Sequence, residues 1–263
     1  MPDGYAIEVN DLVTYYGPRR ILDAVSLAVE YGEIMVLMGG SGSGKSTLLR
    51  HLLALQRPVS GSIQVLGLDV TRASADELHA LRKNTGVSFQ SGALLSSLTV
   101  GENVALPLRE HTNLDESIIQ ITARLKLEVV NLGGFEHLYP SQLSGGMVKR
   151  AALARAMAMD PQLLFFDEPS AGLDPVVASE LDDLILKLRA SLGITIVVVT
   201  HELESAFKIA DRITVLDHGR IVVAGTADEV RNSPLERVQD LLQRRSRPVE
   251  TSADDYMRRL TGE

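Results

Sequence analysis

Gly39, Gly40, Ser41, Gly42, Ser43, Gly44, Lys45, Ser46 and Thr47 run in the order G-x-x-x-x-G-K-[ST], the pattern of a P-loop. The chemistry such a run offers is phosphate binding. Glycine lets the backbone approach phosphate oxygens where a side chain would block it. Lys45 can reach β- and γ-phosphates, and the Ser46 hydroxyl is a hard oxygen ligand suited to Mg²⁺. The flanks suit the task. Residues 34–38 are an unbroken apolar run fit for a buried strand, and residues 48–56 are helix-like. Unpaired backbone N–H groups and the positive end of a helix dipole would then face the anion. A merely flexible Gly/Ser loop would leave the agreement of strand, loop and helix unexplained. Nucleotide binding is the expectation; what it drives must come from other residues.

Leu163, Leu164, Phe165 and Phe166 make another buried strand, which ends on Asp167 and Glu168. Carboxylates at the C-terminal end of a parallel strand lie where ligands bind in open α/β sheets. Two adjacent ones can divide the labour, Asp167 holding Mg²⁺ through water and Glu168 accepting the proton of an attacking water. A further apolar run, 194–200, ends at His201, whose imidazole can hydrogen-bond a γ-phosphate oxygen. Gln90 follows the strand-like 86–89 and is placed either to touch a metal-bound water or to cap a loop. Ser144, Gly145 and Gly146 open a helix carrying Lys149, Arg150 and Arg155; they are a second anion site or simply a well-capped helix start. Tyr15 and Tyr16, in a chain poor in aromatics, offer a ring for stacking on adenine or for packing on the sheet. His51, His79, His111, His137 and His218 form no ligand-spaced cluster and read as structural or surface residues.

The elements that must position these groups come from a chain of 263 residues, enough for one large α/β domain with an inserted lobe. Lys+Arg 26 against Asp+Glu 34 leaves a net charge of −8, which on average repels nucleic acid and anionic lipid. Cysteine is absent, so disulfides and thiolate metal sites are excluded and a reducing compartment fits. Residues 1–4 show neither the basic nor the apolar region of a secretory signal. The apolar runs are strand-sized, far short of the ~20 residues a membrane span needs, so membrane work requires a separate subunit.

Patterning supplies the rest. Residues 7–13 and 21–29 alternate as strands around the turn Tyr16-Gly17-Pro18, and 62–66 continues that β layer. Residues 75–82 look helical. From 91 to 160 the pattern turns helical, at 100–106, 115–125 and 146–159, as in a lobe inserted into the α/β core. Residues 91–100 mix apolar and small residues, as a protein-docking surface or as lobe core. Residues 213–216 and 221–224 read as a hairpin closing the sheet. An amphipathic helix follows Pro234 to about 245. The tail 246–263 is polar, either solvated or pinned to a partner through Tyr256, Met257 and Leu260. No internal repeat or second P-loop occurs.

Up to about Pro234 the chain resembles an ATP-binding-cassette (ABC) ATPase. The order carries the resemblance: an upstream aromatic, the P-loop, Gln90, Leu143-Ser144-Gly145-Gly146, Asp167-Glu168, Ser170-Ala171-Gly172-Leu173-Asp174 and His201. It implies an α/β P-loop NTPase (RecA-like) core with an antiparallel β subdomain and an inserted α-helical subdomain at about 91–160, within one ATPase domain over 1–245. It implies ATP as the nucleotide, Mg²⁺ at Ser46, Gln90 and Asp167, and catalysis by Glu168, His201, Gln90 and Lys45. Two copies would pack head to tail, so that Ser144, Gly145 and Gly146 bind the γ-phosphate in trans and Asp174 lies at the dimer contact. Tyr16, immediately before Gly17, becomes the adenine-stacking ring. Met147 stands where glutamine is usual; backbone and serine make the phosphate contacts, so activity should survive, with ribose-side contacts altered.

A narrower resemblance rests on Phe89-Gln90-Ser91-Gly92-Ala93-Leu94-Leu95, the run from Glu102-Asn103-Val104 through Arg109-Glu110-His111-Thr112, and the Met-bearing signature. Together they are similar to the ATPase of Mla/Mce-type phospholipid transporters. That implies a multi-spanning permease, docked through its coupling helix at the segment after Gln90, an Mce-domain lipid-binding protein and often a STAS-domain subunit. The chain would then sit on the cytoplasmic face of the inner membrane. An ABC transporter for another solute, or a non-transport ABC protein acting as a nucleotide-gated scaffold, are the rival readings. Acidic balance and the lack of basic extensions oppose a nucleic-acid role.

Overall fold

The protein, seen in a computed structural model, is described at residues 4–243 and 245; the tail expected at 246–263, with Tyr256, Met257 and Leu260, lies outside the described residues. Strand β1 (Tyr5–Tyr16) turns at Gly17-Pro18 into β2 (Arg19–Glu30), longer than the alternation alone suggested. Next come β3 (Ile34–Met38), the P-loop, α1 (Lys45–Leu52), β4 (Ser60–Val65), β5 (Leu68–Asp69), α2 (Ala75–Lys83) and β6 (Thr85–Ser88). The helical lobe holds α3 (Val100–His111), α4 (Glu116–Val129) and α5 (Gly145–Ala156). Thereafter strands and helices alternate: β7 (Leu163–Asp167), α6 (Pro175–Leu192), β8 (Thr195–Val199), α7 (Leu203–Ile209), β9 (Arg212–Asp217), β10 (Arg220–Gly225), α8 (Ala227–Arg231) and α9 (Glu236–Leu242).

Two sheets result. The antiparallel one has the order β2-β1-β4-β5, and the larger one β10-β9-β3-β8-β7-β6, parallel from β9 to β6 with β10 antiparallel at its edge. The α/β core, antiparallel layer and helical lobe are therefore those of the expected class. Period-2 alternation splits the apolar parallel strands between two cores. Ile34, Val36 and Met38 face the lobe side with Leu164, Phe166, Ile196 and Val198. Met35 and Leu37 face the antiparallel sheet with Leu163, Phe165, Val197 and Val199. The antiparallel sheet is also tied to α1. Buried His51 bonds Gln56 O through Nδ1 (2.8 Å) and Thr14 Oγ1 through Nε2 (2.7 Å). A carbonyl only accepts, so Nδ1 carries the proton and Nε2 accepts from the threonine; burial lowers the His51 pKa and favours this neutral form.

Register then explains where the chemistry goes. Leu37 pairs with Val199, Val199 with Asp167, and Phe166 with Ser88. The chain thus leaves four parallel strands at one level, delivering the P-loop, His201, Glu168 and Gln90 to the same C-terminal edge.

Several elements differ from the sequence expectation: α4 continues past 125 to Val129, α5 ends at Ala156 rather than 159, and α7 and α8 answer to no expected helix. Helix α3 does not stop at 106 but continues through Pro107 to His111, because Leu108 is buried in the lobe and Thr112 N and Oγ1 close its carbonyl (3.0 and 2.7 Å). Helix α6, 18 residues long, was not anticipated. The segment 91–100 is largely exposed, with Leu95 46% accessible, while Leu94 packs on the core. Buried Asn103 holds it: its Oδ1 accepts from Leu95 N (2.8 Å) and its Nδ2 donates to the carbonyls of Leu95, Leu98 and Thr99.

Candidate nucleotide site

The P-loop bends tightly from β3 into α1. Gly39 (φ 156) has no room for a side chain, since a Cβ would lie 2.2 Å from Leu216 O; Gly44, at φ 111, precedes the helix with Leu22 Cδ2 2.8 Å from any Cβ. The start of α1 has neither a side-chain cap nor an acidic residue in its first turn. Its N–H groups are thereby left for an anion. Lys45 lies back over the loop, donating to Gly39 O (2.8 Å) and Gly40 O (3.0 Å). Burial lowers its pKa, and the charges of Glu168 and Asp167 oppose that shift.

Gly39, Gly40, Ser41, Gly42, Lys45, Ser46, Gln90, Asp167, Glu168 and His201 line one open cavity of about 810 Å³. Asp167 has its pKa raised, by burial first and then by the neighbouring Glu168 charge. Glu168 is held by its surroundings: Oε1 meets His201 Nδ1 at 2.8 Å and Oε2 accepts from Thr200 Oγ1 at 3.1 Å. Ser46 hydroxyl, Gln90 amide and Asp167 carboxylate form an all-oxygen donor set of the kind Mg²⁺ takes. Among the described residues no group of three or more His, Cys, Asp or Glu could cage a metal.

Other expected residues lie elsewhere. Ser43 and Thr47 are buried within the loop and helix. Tyr16, 41% exposed, does not line the cavity; its hydroxyl donates to Gln56 Oε1 (2.9 Å) and accepts from Arg50 (3.3 Å), leaving the ring beside α1. Ser144, Gly145 and Gly146 are also outside the cavity, at the start of α5, with Ser144 Oγ accepting from Met147 N (3.3 Å). Asp174 is exposed and caps α6 through Val176 N and Val177 N (both 3.1 Å). Conversely, Glu202, Leu203, Asp240, Leu241 and Arg245 line the cavity without having been expected there. The first two follow His201 directly. The C-terminal group arrives because Val238 is buried in the core and Arg237 pairs with Asp217 at 2.7 Å, a docking no local motif announces.

Comparison with known proteins shows the family to which the fold belongs. The family model described as ABC transporter matches residues 22–171. The Haemophilus influenzae intermembrane phospholipid transport system ATP-binding protein MlaF is 42% identical over 97% of this chain and 97% of its own length. The probable ribonucleotide transport ATP-binding protein mkl of Mycobacterium leprae is also 42% identical, over 97% of this chain and 74% of its own length. Among solved structures, a dimeric post-hydrolysis state of the ATP-binding cassette MJ0796 bound to ADP and Pi superposes with a TM-score of 0.77 at 31% identity, covering 84% of this chain and 98% of that one. The chain belongs to the ABC transporter family, as one of its ATP-binding cassettes.

Proposed function

We propose that this chain hydrolyses ATP to power phospholipid transport between membranes through a separate permease. What supports the catalytic part is the convergence of Lys45, Ser46, Gln90, Asp167, Glu168 and His201 on one cavity at the edge of the parallel sheet. In this reading adenine rests on Tyr16 and the phosphates on the backbone of 39–47. Lys45 exchanges the carbonyls of Gly39 and Gly40 for β- and γ-phosphate oxygens. Ser46, Gln90 and Asp167 would hold Mg²⁺, which supplies charge neutralisation. Glu168 takes the proton of the attacking water, and His201, already bonded to it, contacts the γ-phosphate. A second copy, packed head to tail, brings Ser144, Gly145 and Gly146 onto that phosphate and Asp174 to the contact. Dimer closure moves the permease and hydrolysis resets it.

Glu168→Gln should keep ATP binding while turnover falls by about 10²–10⁴-fold, the range for loss of a general base. Wild-type hydrolysis by that variant removes Glu168 from the role.

The phospholipid part rests on likeness to MlaF, with the exposed 91–100 segment as the permease dock, an Mce-domain protein and a STAS-domain subunit as further partners, and the cytoplasmic face of the inner membrane as the location. The equal identity to mkl, named for ribonucleotide transport, supports a second reading with another solute. Purification with its membrane subunit decides. A permease accompanied by an Mce-domain protein supports lipid transport, a soluble solute-binding protein opposes it, and a membrane pull-down empty of permease favours a scaffold.

A further inference from the structure

Lys149, in the second turn of α5, is buried, with 8% of its surface exposed. Its ammonium donates to two main-chain carbonyls from distant parts of the chain, Gln90 O at 2.5 Å and Glu168 O at 3.0 Å. A buried charge is costly unless it is well bonded, so this arrangement calls for a reason. The backbone of Glu168 supplies one. At φ 49 it occupies the left-handed region, where a residue with a side chain is strained and persists only if its surroundings over-determine it. Glu168 N donates to Val199 O (2.8 Å) on one side; on the other, its carbonyl accepts from Lys149 and from Ala171 N (3.3 Å). The same helix grips the loop after Gln90 a second time. Arg155 donates to Ala93 O (2.6 Å) and Gly92 O (2.9 Å), and a Cβ on Gly92 would come within 2.9 Å of Val148 Cγ1.

We infer that Lys149 is a positioning residue: with Arg155 it staples the helix that begins at Ser144-Gly145-Gly146 to the Gln90 loop and to the strained main chain of Glu168. The aim of the Glu168 carboxylate is thereby tied to where α5 and the 91–100 segment sit, so a displacement of either reaches the attacking-water position. Burial lowers the Lys149 pKa, while the charges of Glu168 and Asp167 sustain the ammonium form.

The inference rests on the reading of Glu168 as the base, so Glu168→Gln is measured in parallel. Lys149→Met keeps the aliphatic stem and removes the donors; Lys149→Arg keeps charge and donors. In the full-length protein, Lys149→Met is expected to bind a fluorescent ATP analogue within about twofold of wild type and to leave KM little changed, while kcat falls about tenfold or more. Lys149→Arg is expected to recover most of that loss. The staple is overturned if Lys149→Met keeps kcat within about twofold of wild type, if binding and kcat fall together, or if Lys149→Arg is as impaired as Lys149→Met. Should Lys149→Met not fold, Lys149→Gln, an uncharged donor, carries the same expectations with a smaller loss. Hydrolysis by Glu168→Gln would overturn the underlying reading instead, whatever Lys149 does.

Discussion

Two helix starts in this molecule are built from glycine and serine, and they are finished in opposite ways. At α1 the cap is Gly44, no side chain closes the first turn, Lys45 is the first helical residue, and Leu22 and Leu216 crowd the loop from behind. At α5 the cap is Ser144, which closes its own helix through Met147 N, and Gly145 is exposed. The first start is left open toward a walled cavity; the second is locally satisfied and faces outward. A helix N-terminus attracts anions in either setting, but only the first of these two opens onto the cavity that Gln90, Asp167, Glu168 and His201 line. In the proposed dimer the second would meet a nucleotide carried by another copy.

The largest expected break in this comparison is at α1. Lys45→Ala removes the cation of the cradle and should weaken both ATP binding and turnover, each by about 10²-fold or more. Equilibrium binding of a labelled nucleotide checks it; near-normal affinity would mean that the backbone cradle suffices. Gly145→Asp comes next. A side chain there meets only Leu173 Cδ2, at 3.6 Å, so the fold should tolerate it. It should leave ATP binding to the isolated chain intact and cut turnover by about 10²-fold, since in the proposed dimer the new carboxylate would face the partner's phosphate. Loss of binding in cis would contradict the division of labour between the two starts.

Adjacent Gly146 sharpens the contrast within a single turn. A Cβ there lies 2.6 Å from Val177 Cγ1 on α6. Gly146→Ala should therefore cost about 1–3 kcal/mol of stability, while Gly145→Ala should cost much less. Thermal unfolding of the pair measures the difference, and equal melting temperatures would show that α5 and α6 can yield.

The same contrast governs what the sequence could disclose. The parallel strands were legible because Ile34–Met38, Leu163–Asp167 and Thr195–Val199 are buried almost throughout and read as apolar runs. The hairpin was legible because His218 and Gly219 supply the positive φ values of its turn. That Lys45, Asp167 and Glu168 meet in one cavity was legible because each lies just past a run that reads as a buried strand. Helix α6 carries its signals, Asp174 as cap, Pro175 in the first turn and Gly193 in the left-handed stop, but they overlap the Ser170-to-Asp174 motif. Pro107 gave a true local signal that packing of Leu108 overrode. Carbonyls leave no trace in sequence at all. Lys149 and Arg155 were visible as basic residues of a helix, whereas their partners, the main-chain oxygens of Gln90, Gly92, Ala93 and Glu168, exist only once the lobe is folded against the sheet.

The smallest expected effect lies beneath the exposed turn that ends at Asp174. Asp182 on α6 is 3% exposed, and its Oδ1 has no hydrogen-bond partner. Ser205 of α7 lies beside it and bonds Ser170 of the turn at 3.5 Å. Burial raises the Asp182 pKa, opposed by the Ser205 hydrogen bond and the Lys208 charge, with Asp183 adding to the rise. The folded protein therefore binds this proton more tightly than the unfolded chain does. That contribution to stability is full below the ordinary aspartate pKa and is lost as pH rises through the higher folded value. Asp182→Asn cannot titrate, so its advantage over wild type should be near zero in acid and grow to about 1 kcal/mol in mild alkali, the lower end of the cost of an unsatisfied buried group. Melting both proteins at pH values on either side of the transition gives the answer. A gap that does not widen with pH would mean that Asp182 is not the group that titrates, and that the turn leading to Asp174 owes its place to packing of α6 on α7 rather than to the buried polar cluster.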